Sequence, residues 1–384
     1  MRGVLVGLAA FAVAVTGCGR IGFDDRTIGD ATGGAWYAAS QYRKSLTIGA
    51  GHVRGDLASF PVAVIAAGDA ELVAHARADG GDLVFTASDG VTRLPYEIDS
   101  FAAGGALCAW VKLPAVAAAA DTTFYLYYGD PNAMSEADAA TTWSEYRAVW
   151  HMSETPTVDT VARDSTANHN DGAFQGMMMA TDQVGGLVHG ALDLDGVDDF
   201  LAVPSTSSLG FGNGATDTAL TIDAWVLMRN ASAFKVVAKG PAPPPLEYYF
   251  RTGDQTDDLL LMRVYDATGN YLGRRYSVGL TPLTDRWTHL AATYDGSGAA
   301  AGIALYVNGE RVDDQDASSG TYVAMSPTAS VLDLGRYQSG GNFTKGKLDE
   351  IRIGAGARSP AWIHASYANV SDPTFVAIGA EERR

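Results

Sequence analysis

The sequence predicts an all-β fold made of antiparallel β-sandwiches, on three observations. Apolar and polar residues alternate in several short runs, which places one face of each strand in a core and the other in water. Asn308-Gly309 separates two such runs in L-Y-V-N-G-E-R-V, and Asn-Gly is the strongest short hairpin signal. Glycine is frequent, with 44 residues, as expected when tight turns join many short strands.

Length and composition set the scale of the molecule and exclude one class of partner. A chain of 384 residues with 47% hydrophobic residues is long enough for two domains with separate cores. The net charge is −17, from 44 acidic and 27 basic residues. Nucleic-acid binding needs a Lys/Arg patch, and the sequence shows no such cluster, so we expect no nucleic-acid partner. The acidic excess either keeps the protein soluble or supplies oxygen ligands to Ca²⁺.

The amino terminus has the pattern of an export signal. A basic residue precedes the apolar run Val4–Val15, which is too short to span a bilayer. The letters V-T-G-C that end this run resemble the lipobox of bacterial lipoproteins, in which the signal is cut before a lipid-bearing cysteine. The resemblance implies a signal peptide at 1–17 and a lipid on Cys18. The following residues are rich in Gly, Asp and Thr without periodicity, which predicts a flexible tether over 18–35. It also implies a membrane anchor in the bacterial cell envelope, and Gly19 favours the outer membrane. An ordinary secretory signal with an incidental cysteine is the alternative.

Residues 36–147 are predicted to form the first β-sandwich domain. Strand-like runs lie at 42–48, 60–64, 83–86, 107–111 and 123–128. The letters Y-R-K-S-L-T-I, F-P-V-A-V, L-P-Y-E-I-D-S-F and F-Y-L-Y-Y-G-D-P-N-A resemble, in order and spacing, a bacterial domain of unknown function that commonly precedes a LamG-like domain. The resemblance implies a sandwich of jelly-roll character, with no activity attached. Cys108 has no disulfide partner if Cys18 is lipidated, and it is predicted to be a small buried hydrophobe.

Residues 148–384 are predicted to form the second β-sandwich domain. Its strand-like runs lie at 190–195, 220–226, 236–240, 248–251, 259–265, 287–294, 303–312, 331–337 and 347–353, with a closing strand near 375–379. The letters A-L-D-L-D-G-V-D-D-F, T-I-D-A-W-V, W-T-H-L-A-A-T-Y-D-G and K-L-D-E-I-R-I resemble LamG-like domains of the concanavalin A-like lectin/glucanase superfamily. The resemblance implies a jelly-roll fold that binds carbohydrate or a protein partner.

One loop has the composition of a calcium site. Asp164, Asn170 and Asp171 lie within eight residues, and Ca²⁺ takes six to eight oxygen ligands. In LamG-like domains a Ca²⁺ often joins such a loop to a late strand, and the resemblance implies Asp349 as that ligand. Strand alternation predicts that Asp349 faces inward with Ile351. The alternative is an Asx-turn loop that bonds its own backbone. A second acidic run, residues 193–199, is predicted to be a strand ending in a turn.

Catalytic motifs are weak throughout the sequence, and we predict that the protein is not an enzyme. Glucanases with this fold carry E-x-D-x-x-E on one strand face. The nearest match, Glu97-Ile98-Asp99, lacks the last Glu and lies in the first domain. H-E-x-x-H, G-x-S-x-G and P-loop motifs do not occur. His151 is predicted to be a satisfied strand residue and not a base.

Aromatic side chains near loops are candidates for contact with a carbohydrate. Sugar rings pack on exposed aromatic side chains, and five tyrosines near loops are candidates, although each is more often a core or cross-strand residue. They are Tyr248, Tyr265, Tyr271, Tyr276 and Tyr337. We therefore predict a non-catalytic envelope lipoprotein that binds carbohydrate or a protein partner, with Ca²⁺ as a structural cofactor. A structural or adhesive envelope spacer is the alternative, and a glycoside hydrolase is a remote third.

Overall fold

Strands dominate the computed structural model, which describes residues 36–240, 246–253, 257–337 and 342–384. Within these residues the strands are, in chain order, β1 (Tyr42–Ile48), β2 (Leu57–Ala66), β3 (Val84–Thr86), β4 (Tyr96–Phe101), β5 (Leu107–Val116), β6 (Thr122–Tyr128), β7 (Tyr146–Trp150), β8 (Val161–Ala162), β9 (Gly172–Gln175), β10 (Gln183–Gly185), β11 (Gly190–Asp195), β12 (Phe200–Val203), β13 (Leu220–Met228), β14 (Lys235–Lys239), β15 (Tyr248–Thr252), β16 (Leu260–Tyr265), β17 (Tyr271–Arg275), β18 (Trp287–Tyr294), β19 (Ile303–Val307), β20 (Glu310–Arg311), β21 (Gln315–Asp316), β22 (Leu332–Leu334), β23 (Lys345–Ala355) and β24 (Ala377–Arg383). The α-helices are α1 (Ala70–His75), α2 (Ala139–Thr142) and α3 (Pro360–Ser371). The predicted signal peptide, Cys18 and the tether lie outside the described residues.

The first sandwich consists of two small antiparallel sheets. One sheet has the strand order β24-β1-β6-β3 and the other has the order β2-β5-β4. Their facing side chains form a closed apolar core that includes Leu46, Val62, Phe85, Val111 and Leu126. Residues 107–111 of β5 are buried on both faces, however, because their outward side chains pack against the second sandwich, so the expectation of a water-facing side is wrong for this strand.

The second sandwich is larger and also antiparallel. Its first sheet has the order β10-β11-β23-β13-β18-β19-β20, and β7 pairs with the far end of β23. Its second sheet has nine strands in the order β21-β17-β16-β15-β14-β22-β12-β9-β8. A core with Ile222, Val226, Phe250, Met262 and Ile353 fills the space between the two sheets. The prediction of an all-β chain with two β-sandwiches is confirmed.

The carboxyl terminus returns to the first sandwich. Strand β24, at the end of the residues predicted as the second domain, pairs with β1, with Tyr42 opposite Arg383. Helix α3 precedes it, and Asn369 on this helix bonds the backbone of Ala63 in β2 through both its amide nitrogen (3.1 Å) and its oxygen (2.7 Å). The final segment was predicted to belong to the second domain, but β24 is part of a sheet of the first sandwich. There it covers the edge of β1, which would otherwise be unpaired.

The two sandwiches share a packed interface around α3. Trp362 and Ile363 of this helix contact a cluster that contains Phe60 of the first sandwich and Tyr306 of the second. The outward face of the eight-stranded sheet is therefore buried inside the molecule, and the described residues form one compact unit.

The predicted hairpin at Asn308-Gly309 is present between β19 and β20. Val307 pairs with Glu310, and both turn residues have positive φ, 50° at Asn308 and 79° at Gly309. Two positive φ values define a type I′ turn, whose twist matches that of the flanking strands.

A bulge in β23 changes which side chains face the core. The register shifts between the pairs Asp223–Arg352 and Trp225–Asp349, and Glu350 has a left-handed φ of 51°. The extra residue breaks the alternation, so Asp349 faces away from Ile351 and toward the first sandwich. The expectation that Asp349 shares the inward face of Ile351 is wrong for this reason.

Candidate functional site

The loop predicted to bind calcium is held by its own hydrogen bonds. Asp164 Oδ1 accepts from the backbone nitrogens of Val149 (3.0 Å) and Thr166 (2.9 Å). Its Oδ2 accepts from the nitrogen of Asn170 (2.8 Å) and from Thr166 Oγ1 (2.9 Å). The nitrogen of Asp164 in turn donates to Asp171 Oδ1 at 2.9 Å. This is the pattern of an Asx-turn loop, in which a carboxylate satisfies neighbouring backbone donors.

Asn170 connects this loop to the next one along the chain. Its Nδ2 donates to the oxygen of Arg147 (2.7 Å) and to Ser208 Oγ (3.0 Å). Its Oδ1 accepts from Thr206 Oγ1 at 2.6 Å. The amide is 1% exposed, so these bonds fix the loop that follows β12.

The four predicted calcium ligands do not converge. Asp349 Oδ2 accepts from the backbone nitrogens of Leu187 (2.7 Å) and Val188 (3.3 Å), a different segment from the Asp164 loop. Burial raises the pKa of Asp349 well above its ordinary value, and the nearby charge of Glu350 adds to this. In the described part of the chain, the carboxylates of Asp164, Asp171 and Asp349 do not form a group within 4.8 Å of one another. The arrangement therefore does not fit one ion bound by all four residues, and the calcium prediction stays untested.

Three other carboxylates do come together after β11. The side-chain oxygens of Asp195, Asp198 and Asp199 lie within 4.8 Å of one another. Burial, with nearby carboxylates, raises the pKa of Asp199 to about 6. Asp195 Oδ1 accepts from the nitrogen of Val197 at 2.7 Å, as in a turn that ends a strand. Clusters of this kind often occur without a metal, and we assign none here.

Glu97, in the nearest match to a glucanase motif, lies at the boundary between the two sandwiches. Its Oε2 is 3.1 Å from His151 Nε2, and the other ring nitrogen of His151 is 2.8 Å from Glu350 Oε1. Trp143 Nε1 and Ser165 Oγ also donate to Glu97. His151 therefore joins a carboxylate of the first domain to one of the second.

The electrostatics of this cluster indicate a structural role. Burial alone would lower the pKa of His151, but the charges of Glu350 and Glu97 outweigh it and hold that pKa well above 6.5. Burial would raise the pKa of Glu97, and the imidazolium outweighs this effect and lowers it. The His151 side chain is 6% exposed and that of Glu350 is 1% exposed. We infer a buried ion triad that joins the domains, and its groups are already engaged with one another.

Cys108 lies beside this triad as a buried thiol. It is 3% exposed, and it packs with Trp110 and Trp143. Burial, together with nearby carboxylates led by Asp99, raises its pKa well above the ordinary value. A thiol in this environment is unreactive, as expected for a small hydrophobe.

A polar pocket opens beside the loop that follows β12. Its volume is about 350 Å³, and its lining consists of Ser205, Thr206, Ser207, Gly210, Gly212, Lys239, Glu247, Pro327 and Thr328. Five of these side chains carry a hydroxyl or amine donor and one carries a carboxylate. Small-ligand sites occupy roughly 300–1,000 Å³, so the polar pocket is at the small end of that range.

A buried ion pair belongs to this pocket. Lys239 Nζ is 2.7 Å from Glu247 Oε1, and each side chain is 1% exposed. Lys239 ends β14 and Glu247 immediately precedes β15; the antiparallel pairing of these strands brings the two residues together. Thr328 donates to the same oxygen through its nitrogen (2.8 Å) and its hydroxyl (2.6 Å). The second oxygen, Oε2, is buried and has no hydrogen-bond partner in the described part of the chain.

The five candidate tyrosines divide into two groups. Tyr248 is in the core, where its hydroxyl donates to the oxygen of Leu209 at 3.0 Å, and Tyr276 packs against the same core. Tyr265, Tyr271 and Tyr337 instead belong to a separate cluster on the outward face of the nine-stranded sheet. Sequence position near a loop did not distinguish the two groups.

Comparison with known families agrees with this fold. The family model of the concanavalin A-like lectin/glucanases superfamily matches residues 195–364. The model of a domain of unknown function (DUF2341) matches residues 79–157. The chain thus carries a DUF2341 domain followed by a LamG-like, concanavalin A-like domain. A search of curated proteins finds no match. Among the described residues, no helix is both long enough and apolar enough to cross a membrane.

Similar solved structures are distant. Domain 4 of AbnA, a GH43 extracellular arabinanase from Geobacillus stearothermophilus in complex with arabinotriose, is 21% identical with a TM-score of 0.43, and the match covers 57% of this chain and 97% of that one. The binding domain of Paraclostridial Mosquitocidal Protein 1 is 14% identical with a TM-score of 0.43, covering 58% and 52%. The receptor-binding domain of botulinum neurotoxin C/D mosaic serotype is 11% identical with a TM-score of 0.43, covering 58% and 51%. The chain spans about half the length of these two toxin domains, and the likeness concerns the fold alone.

Sequence reasoning missed the polar pocket. Lys239 and Glu247 each occupy a position next to a strand end, where a charged residue usually points to solvent. The sequence did contain one signal. Lys239 in V-A-K-G and Glu247 in L-E-Y-Y have opposite charges and lie on either side of one strand connection, so antiparallel pairing of the two strands brings them together.

Proposed function

We propose that the concanavalin A-like domain binds carbohydrate, and that the polar pocket receives one sugar residue. The observation that carries this proposal is the buried Lys239–Glu247 pair beneath a lining of hydroxyl groups. A sugar offers adjacent hydroxyls, each of which donates and accepts. An ammonium group, a carboxylate and several Ser/Thr hydroxyls complement such a ligand without requiring a net charge on it.

The same pocket favours binding over hydrolysis. Glycoside hydrolases generally use two carboxyl groups on either side of the scissile bond. Of the residues that line the polar pocket, only Glu247 carries a carboxylate, and its Oε1 is already bonded by Lys239 and Thr328. We therefore propose a non-catalytic role for this site.

Saturation-transfer NMR with a panel of methyl glycosides of the common neutral hexoses and pentoses tests the proposal. We expect at least one glycoside to receive saturation from the wild-type protein and to lose it in Glu247→Gln. Because Glu247→Gln also disturbs a buried ion pair, Gly210→Leu serves as a second variant. A Cβ at Gly210 meets only the oxygen of Ser207, at 3.6 Å, so the added side chain occupies space next to the pocket.

The matched control is Gly185→Leu in β10. A Cβ there has no atom within 4 Å, and Gly185 does not line the polar pocket. Binding that persists in both pocket variants, or that Gly185→Leu removes equally, would contradict the assignment of the pocket. No binding of any glycoside in the panel would count against the carbohydrate proposal.

The cellular address belongs to the same proposal. We propose that Cys18 carries lipid and anchors the protein in the bacterial cell envelope, on the outer membrane. The supporting observation is the V-T-G-C sequence at residues 15–18. Labelling with a radioactive fatty acid tests it: label and membrane association lost in Cys18→Ser support the anchor, and label retained in that variant contradicts it.

A structural spacer is the second candidate, and the domain interface favours it. The His151 triad and α3 hold the two sandwiches as one body, which suits a rigid spacer or a docking surface for another envelope protein. An inert glycoside panel, together with one specific co-purifying envelope protein, would favour this function over sugar binding.

A further inference from the structure

The outward face of β15, β16 and β17 carries tyrosines and arginines in a regular grid. Antiparallel pairing aligns Tyr265 with Tyr271, Tyr249 with Arg263, and Arg251 with Leu261. Paired residues in neighbouring strands point to the same side of the sheet. These side chains, with Arg275 and Tyr337, form what we call the tyrosine–arginine face.

The rings of this face contact one another in a row. The ring centres of Tyr337 and Tyr249 are 5.2 Å apart, those of Tyr249 and Tyr265 are 5.8 Å apart, and those of Tyr265 and Tyr271 are 5.0 Å apart. Tyr249 and Tyr265 are nearly buried, at 1% and 4% exposed. Tyr271 and Tyr337 are partly exposed, so the row presents its two ends to solvent.

Two arginines lie on these rings. The guanidinium of Arg263 is 4.2 Å from the ring centre of Tyr271, and that of Arg251 is 4.8 Å from the ring centre of Tyr249. Gly273, opposite Arg263, provides the space, because a Cβ there would be only 2.8 Å from Arg263 Cγ. Stacking on a ring orients each planar guanidinium without using its in-plane donors, although Nη1 of Arg251 already donates to the oxygen of Gly253.

The arginines of this face have no carboxylate partner within the described residues. Arg251, Arg263 and Arg275 take part in none of the ion pairs found there, although most other arginines do. Among the residues that the structure describes, the Nε atoms of Arg251 and Arg263 are buried without a hydrogen-bond partner, and Arg251 is 6% exposed. Arg275 bonds the neutral side chain of Gln315 at 2.7 Å.

This concentration of unpaired positive charge is notable because the chain carries a net charge of −17. The nearby carboxylates of Asp333 and Glu247 are neutralised locally by Arg336 (2.8 Å) and Lys239 (2.7 Å). The partly exposed arginines, Arg263 and Arg275, occupy diagonal positions on the neighbouring strands β16 and β17, roughly 7–8 Å apart. That span suits an extended polymer with more than one anionic group.

We propose that the tyrosine–arginine face binds an anionic polysaccharide, one with carboxylate or sulfate groups, at a site separate from the polar pocket. Guanidinium groups match carboxylate and sulfate oxygens in pairs, and the exposed ring ends contact the apolar faces of sugars. The acidic surface elsewhere repels such a polymer, so retention of an anionic polymer identifies a local positive site.

Binding of the full-length protein to immobilised polygalacturonate, dextran sulfate and neutral dextran tests this inference. At about 50 mM NaCl we expect binding to one or both anionic polymers and none to dextran, with strong weakening near 500 mM because salt screens exposed charges. Arg263→Gln and Arg275→Gln should each weaken binding about tenfold, the loss expected for one charged hydrogen bond. Arg263→Lys keeps the charge and should recover binding only in part.

Arg286→Gln is the matched control, because it removes the same charge from the protein. Arg286 is exposed and lies outside the tyrosine–arginine face. Polygalacturonate binding alone identifies carboxylate as the ligand group, and dextran sulfate binding alone identifies sulfate; either result supports the site. Absence of binding to both polymers, equal binding to dextran, or equal weakening by Arg286→Gln would overturn it. Gly210→Leu, which alters the polar pocket without changing any charge, should leave this binding intact, and this separates failure of this inference from failure of the sugar pocket.

Discussion

Replacing His151 with glutamine tests whether the buried ion triad joins the two sandwiches. The substitution removes the positive charge that lies between Glu97 at 3.1 Å and Glu350 at 2.8 Å. It keeps a side chain of similar size that can still donate one hydrogen bond. The change therefore isolates the charge of the imidazolium from its packing against Trp110 and Trp143.

The expected loss of unfolding free energy depends on the partners that each carboxylate keeps in the variant. Breaking a buried ion pair by removing one partner costs about 3–5 kcal/mol, because a charge is left buried without compensation. Here Glu350 keeps Arg352 at 2.7 Å, and Glu97 keeps its bonds from Trp143 and Ser165. Both carboxylates therefore remain partly compensated, and we expect the lower end, about 3 kcal/mol of unfolding free energy.

The pH dependence of this stability loss tests the charge of His151 more directly than its size does. The pKa of His151 is raised in the folded protein, so its contribution is fully present below the unfolded value of 6.5 and declines as pH rises through the folded pKa. The pKa of Glu97 is lowered, so its contribution is present above the unfolded value of 4.5 and is lost as pH falls through the folded pKa. The difference between wild type and His151→Gln should be largest between these two unfolded values.

Urea unfolding, followed by tryptophan fluorescence at a series of pH values, measures this difference. His364→Gln is the control, since His364 has no ion-pair partner within the described residues and should change stability by less than about 0.5 kcal/mol. A loss below about 1 kcal/mol for His151→Gln, or a loss independent of pH from 5 to 8, would refute the argument that a charged His151 joins the domains.

Three further predictions concern single positions. Gly309→Ala should lower the unfolding free energy by about 1 kcal/mol, because φ at Gly309 is 79° and the new Cβ would lie 3.1 Å from His364 Cα; chemical denaturation measures it. Asp349→Asn should become more stable relative to wild type as pH rises above 3.8. Burial raises the pKa of Asp349, so the wild-type protein loses unfolding free energy as this carboxyl ionises. A difference in urea unfolding that stays constant from pH 4 to 8 would contradict this. Cys108 should resist iodoacetamide at pH 8 in the folded protein and react in urea, since burial raises its pKa; rapid labelling of the folded protein by mass spectrometry would show that the thiol is accessible.

Local pattern predicted the fold class of this chain but not all of its topology. Alternation predicts the longer strands of both sandwiches, such as β1, β13 and β18, but not shorter ones such as β12 and β17. Asn308-Gly309 predicts the β19–β20 hairpin. These features depend on neighbours in the sequence, which is why one sequence reveals them. The pairing of β24 with β1 depends instead on residues more than 300 positions apart, and no local pattern predicts it.

The site residues were harder to predict because their roles depend on tertiary contacts. Asp349 has the alternation of an inward residue, and one bulge at Glu350 reverses its direction. Glu97 and His151 are 54 positions apart in the sequence and meet only across the domain interface. The loop from Asp164 to Asp171 has calcium-ligand composition, yet the same side chains satisfy backbone donors equally well.

The packing of the two sandwiches determines where a ligand can bind. The first domain and α3 cover the outward face of the eight-stranded sheet, where Trp225, Asp349 and Arg352 are buried. The tyrosine–arginine face belongs to the other sheet, and Lys239 of the polar pocket ends a strand of that same sheet. The buried polar residues at the interface thus serve to hold the domains together, and the nine-stranded sheet and its loops present both proposed binding sites. If the His151 triad fixes the domains, its loss should lower stability while leaving affinity at both sites unchanged, since neither site contains an interface residue.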